Sequence, residues 1–124
     1  SDPLETLETF VRVFAEVWQT DRSVIRRMQG LATLDAEFAR VWHRREERRR
    51  DGLRAIVTRV AAGRRGRSRL TDQSLATDVL YALIAFETFD VIAGADHRFE
   101  EIAPIINQLA RNALGIAGGS AVRL

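Results

Sequence analysis

Apolar side chains recur every three or four residues along most of the chain, and they never alternate with polar ones over the span that marks a strand. That pattern restricts the fold to an all-α one. The first stripe is Leu7, Phe10, Val11, Phe14, Val17 and Trp18. It follows Asp2, Pro3 and Glu5, which supply an N-cap, a first-turn proline and a carboxylate three residues past the cap, so a helix is expected over 3–20. A shorter stripe, Val24, Ile25, Met28, Leu31 and Ala32, opens at Thr20 or Asp21 and is weakened by Gly30. A third helix is expected from Asp35 to about Ala62, with Phe38, Val41, Trp42, Leu53, Ile56, Val57 and Val60 on one side. Its middle is interrupted: between Trp42 and Leu53 the same line carries Arg45, Arg49 and Gly52. Gly63 to Arg69 read as a loop.

A fourth helix is expected from Thr71 or Asp72 to about Ala93, stopped by Gly94. Its stretch Val79 to Phe86 is apolar in every direction, the mark of a helix buried on all sides. A chain of 124 residues, 46% of them hydrophobic, forms one domain over 1–124 and can hardly enclose such a helix alone. One face is therefore expected against a second subunit. The fifth helix, about Phe99 to Ile116, is apolar over nearly half its circumference and should bend slightly at Pro104. These two helices predict a two-fold dimer through Tyr81, Ile84, Ala85 and Ile92 on one and Ile102, Ile105 and Leu109 on the other. The tail from Gly115 to Leu124 reads as frayed.

Cysteine is absent, which excludes a disulfide scaffold, a thiol nucleophile and a thiolate zinc site. Lysine is absent too, so all 19 cations are arginines against 17 carboxylates. A net charge of +2 argues against a general nucleic-acid binder. The distribution is uneven: residues 40 to 69 hold twelve arginines and three acids, Glu46, Glu47 and Asp51. Within this stripe Glu46 and Glu47 precede Arg50 by four and three residues, and no aromatic residues interleave for base stacking. The stripe therefore reads as a solvated, partly self-paired helix face, with a helical adaptor binding phosphate-rich partners as the alternative. The longest apolar run is too short for a membrane span, and a cytoplasmic protein without membrane partners is expected. The chain starts Ser1-Asp2-Pro3 without a methionine, and a segment removed upstream is expected.

Catalysis has no signature. His43 and His97 lack metal-ligand spacing, no nucleophile elbow occurs, and no glycine loop follows a strand, so no enzyme, metal or cofactor is expected. Glu87 and Asp90 are more informative, because they fall on the helix that is otherwise apolar all round. They read either as structural partners of arginines near the helix end or as polar anchors in an apolar cavity. If Arg45 and Arg49 turn inward they would meet Glu87 and Asp90, beside a cavity walled by Phe14, Trp18, Met28, Trp42, Leu83 and Phe86. An apolar ligand with one polar or anionic end would suit that wall.

The stretches Leu34-Asp35-Ala36-Glu37-Phe38-Ala39-Arg40-Val41-Trp42, running into an arginine-rich helix, and Leu80-Tyr81-Ala82-Leu83-Ile84-Ala85-Phe86-Glu87-Thr88-Phe89-Asp90 resemble the C-terminal domain of TetR-family transcriptional regulators. So does the end, Glu100-Glu101-Ile102-Ala103-Pro104 followed by Leu109 to Gly115. The resemblance covers about residues 2 to 116 in a layout of about five helices. It implies a homodimeric repressor whose helices enclose a cavity for a small, largely apolar effector and whose last two helices form an intersubunit four-helix bundle. The family's N-terminal helix-turn-helix domain has no counterpart in this chain, so the resemblance assigns DNA binding to that absent domain.

Overall fold

The computed structural model describes residues 2–63 and 72–115, and these are helical throughout apart from caps and turns. Six helices are present among the described residues: α1 (Pro3–Thr20), α2 (Arg22–Ala32), α3 (Ala36–Ala62), α4 (Gln73–Leu83), α5 (Phe86–Ala93) and α6 (Phe99–Ala113). The loop expected at Gly63 to Arg69 lies, past Gly63, outside the described residues, as does the tail beyond Gly115.

Three helix starts carry the same device. Asp2, Asp35 and Asp72 each accept a hydrogen bond from a backbone N–H of the first turn, at Leu4, at Glu37 and Phe38, and at Leu75. This satisfies donors that have no partner within the helix and puts negative charge at the positive end of its dipole. The core then forms from the apolar stripes. Leu7, Val11 and Ala15 of α1, Leu53, Ile56, Val57 and Val60 of α3, Leu80 of α4 and Ile102, Ile106 and Ala110 of α6 are all buried in one cluster. α1 lies against α6 and α3, α4 lies against α3 and α6, and α2 packs mainly on α3. Gly52 lies under the Phe10 ring, and a Cβ there would sit 2.9 Å from that ring and displace it.

The single fourth helix expected over 71–93 is two helices. Ile84 leaves the α4 helix and Ala85 is extended, with φ −65° and ψ 149°. In a continuous helix successive side chains point about 100° apart, so three in a row cannot all face one core. The break turns Ile84, Ala85 and Phe86 inward together. The apolar surface that suggested a second subunit is thus largely absorbed by two short helices facing different ways. Neither glycine nor proline marks the break. Backbone groups freed there find partners instead: the Thr88 hydroxyl donates to the Ala82 carbonyl, and Trp18 Nε1 donates to the Ile84 carbonyl at 3.0 Å. α5 ends as expected at Gly94, whose φ of 58° favours glycine. Pro104 lies inside α6. No helix among the described residues is long and apolar enough to cross a membrane.

Candidate functional site

The aromatic face of α1 does not stop at the core. Phe10 and Phe14 stand 4.9 Å apart between ring centroids, and Phe14 and Trp18 stand 5.3 Å apart. Beyond Trp18 the ladder continues through Phe86 and Phe99 to Phe89. Where α1 and α2 diverge from the middle of α3, the α1 part of this ladder, Phe10, Phe14 and Trp18, forms one wall of a cavity of about 390 Å³. Its other walls are Val24, Ile25 and Met28 of α2 and Trp42, Arg45, Glu46, Arg48 and Arg49 of α3. Val17 and Asp21 complete the lining. The volume lies toward the lower end of small-molecule sites, which span roughly 300–1,000 Å³.

The interruption in the α3 stripe faces the cavity: at position 49 the sequence places an arginine where the stripe would otherwise carry an apolar side chain. Arg49 is 4% exposed. Its guanidinium carbon lies 4.5 Å from the centroid of the Tyr81 ring, 5.3 Å from Trp18 and 5.8 Å from Phe14. Nη1 donates to the Ile84 carbonyl at 3.4 Å, the acceptor already bonded by Trp18. Glu46 Oε2 lies 2.8 Å from Nη2. Burial pushes the Glu46 carboxyl above its ordinary range; the Arg49 charge works against that shift and Glu87 adds to it.

Of the residues expected at the site, Phe14, Trp18, Met28, Trp42, Arg45 and Arg49 line the cavity. Leu83, Phe86, Glu87 and Asp90 do not. Leu83 is half-buried against the core, and Phe86 is buried behind Trp18. Glu87 bonds to Gln29 of α2. Asp90 pairs with Arg22 at 2.8 Å and Arg26 at 2.7 Å. The expected meeting of Glu87 and Asp90 with Arg45 and Arg49 does not occur, because α5 begins a new direction at Ala85 and carries both carboxylates toward α2. Of the carboxylates expected to pair with Arg50, Glu46 reaches Arg49 instead; Glu47 lies 4.0 Å from Arg50, which also pairs with Asp78. Arg44, Arg45 and Arg48 are exposed. His43 and His97 lie exposed beside Glu47 and Glu101.

Sequence reasoning missed Phe10, Val17, Asp21, Val24, Ile25, Glu46 and Arg48 as cavity residues. A signal for Phe10 and Val17 was present, since they share the α1 stripe with Phe14 and Trp18. Glu46 could have been found as the carboxylate one helical turn before Arg49.

The expected dimer residues also divide. Ile84, Ala85 and Ile102 are buried within the subunit and offer no surface to a second copy. Tyr81 and Leu109 are half-buried, while Ile92 is 42% and Ile105 39% exposed.

The Asp90 cluster closes the fold around the site. Arg22 also donates to the Gly94 and His97 carbonyls and stacks 4.5 Å from the Phe99 centroid, fastening α2 to the corner between α5 and α6. Hydrogen bonding from Arg26, and then from Arg22, holds the Asp90 carboxyl below its usual range. The stability this contributes is fully present above the unfolded carboxyl's pKa of about 3.9 and is lost as pH falls through the lower folded value. Asp90→Asn should therefore cost about 1–2 kcal/mol in urea unfolding at neutral pH. The gap between mutant and parent should begin to narrow below about pH 4 and close as pH falls through the lower folded value; a gap that stayed constant into acid would exclude the charge as its source.

No protein-family model, no curated protein and no solved structure matches this chain.

Proposed function

We propose that the chain is the small-molecule-sensing and dimerisation domain of a TetR-like transcriptional regulator, a homodimeric repressor whose DNA contacts belong to a separate helix-turn-helix domain. The observation that carries the reading is the cavity between α1, α2 and α3. It is walled by aromatic and aliphatic side chains and carries a few polar groups, as small-molecule sites do. A small, largely apolar effector fits that lining. Two side chains of the cavity wall, Trp18 and Arg49, also hold the Ile84 carbonyl at the α4–α5 break. An effector that shifts either one changes the support of that break, which gives the ligand two helix arrangements to bias. On this reading the exposed apolar side chains of the last helices, Ile92 of α5 and Ile105 of α6, supply the intersubunit bundle.

The uncharged fluorophore N-phenylnaphthylamine tests the cavity. It should bind saturably, one per chain, and Met28→Trp, which fills the space from α2, should weaken it at least about ten-fold. Binding that is unsaturable, or indifferent to Met28→Trp, removes the cavity from the reading.

A further inference from the structure

We infer that the cavity takes a monocarboxylic acid with an apolar tail, and that its carboxylate docks on the Nε–Nη2 edge of Arg49 in place of Glu46. This rests on the reading of the cavity as a ligand site and adds the chemistry of the ligand's head. Among the described residues, Arg49 Nε and Nη2 are buried and have no hydrogen-bond partner. Nη1, by contrast, is used by the Ile84 carbonyl. The two nitrogens left over are not a random pair. Their N–H bonds run parallel along one side of the guanidinium plane, the edge that receives both oxygens of a carboxylate at once.

Glu46 does not meet that need. Its Oε2 is 2.8 Å from Nη2, which gives an ion pair, yet it lies off the N–H directions and leaves Nε without an acceptor. Both residues stand one turn apart on α3, and in this arrangement Glu46 does not face the edge squarely. A ligand carboxylate has no such tether. Burial already disfavours the Glu46 charge, and Arg49, a hydrogen bond with Tyr81 and Arg50 offset that only in part, which lowers the cost of displacing it.

The rest of the lining fixes the other end of the molecule. Beyond Arg49 the wall is mostly Phe14, Trp18, Val24, Met28 and Trp42, which gives a tail apolar contacts, with Asp21 the one carboxylate on the α1–α2 side. A cationic ligand in the same aromatic box is disfavoured because the Arg49 cation already faces Phe14 and Trp18.

Fluorescence of Trp18 and Trp42, the only tryptophans and both in the cavity wall, reads binding directly. Decanoate, decanol and decyltrimethylammonium share one chain and differ in the head. Decanoate should bind at least about ten-fold more tightly than decanol, the difference expected of a bidentate charged hydrogen bond, and the ammonium should bind worst. Glu46→Gln should tighten decanoate and leave decanol unchanged, and Arg49→Met should erase the preference. Should Arg49→Met not fold, the comparison of heads on the parent chain and on Glu46→Gln decides alone. Equal binding of decanoate and decanol, or a preference for the ammonium, overturns the carboxylate while leaving the cavity a ligand site. Failure of every probe to change the fluorescence overturns the ligand site and the carboxylate with it.

Discussion

Phe99→Ala should lower the stability of the chain by about 3–5 kcal/mol, a drop of roughly 10–20 °C in Tm for a domain of this size. Phe99 is fully buried at the first turn of α6. Its ring meets Phe86 at 5.7 Å and Phe89 at 5.4 Å, so truncation opens a void where α5 and α6 join and ends the aromatic ladder that reaches the cavity between α1, α2 and α3. The same ring underlies the Arg22 guanidinium, and the Phe99 backbone N–H donates to Gln19 of α1 at 2.7 Å. Losing the ring therefore removes packing from α5 and α6 and the floor beneath the Arg22–Asp90 pair that holds α2. Val91→Ala is the control: Val91 is on α5 but 80% exposed, and its truncation should cost less than about 0.5 kcal/mol. Thermal unfolding by circular dichroism compares the two. Equal losses would show that the corner is not organised around Phe99.

The sequence carried most of the helices because their signals are local. Asp2, Asp35 and Asp72 stand before apolar stripes of helical period, and each caps a helix. The break at Ile84 and Ala85 was illegible for the opposite reason. No residue from Leu80 to Phe89 disfavours a helix strongly, and beside the Thr88 hydroxyl bond the break is held by Trp18 and Arg49, far away in the chain. With the break unseen, Glu87 and Asp90 were oriented by the wrong helix, and their expected partners followed. Asp90 does take arginines, as a carboxylate on an apolar helix must; with 19 arginines in the chain, spacing alone could not choose Arg22 and Arg26. The cavity was half legible. The gap in the α3 stripe at Arg45 and Arg49 left open whether they reach water or turn inward, and the structure divides them, Arg45 exposed and Arg49 buried; the α1 aromatics were evident as one wall. The floor from α2 depends on the angle between helices, which no stripe records.

Ile105→Arg should convert the proposed dimer to monomer at concentrations near 50 µM, with association weakened by roughly 100-fold or more. The position discriminates well between assembly and folding. Ile105 is 39% exposed on α6, between the buried Ile102 and Ile106 and the solvated side of the helix. An arginine there reaches water in the isolated subunit, so Tm at low concentration should shift by only a few degrees, corresponding to about 1 kcal/mol or less. Against a second copy the same charge is desolvated without a partner, and a two-fold axis places it in both subunits at once. Ile92→Arg on α5 should behave alike if both helices share the interface, whereas Ile84→Arg should unfold the chain, because Ile84 is fully buried within the subunit. Sedimentation velocity on the three variants separates these cases. A parent chain that sediments as a monomer removes the dimerisation half of the proposed function. A dimer that survives both Ile92→Arg and Ile105→Arg moves the interface to another face, where Val13, Val17, Val24, Leu31, Leu34 and Val41 are the large apolar side chains exposed on α1, on α2 and its trailing turn, and on α3.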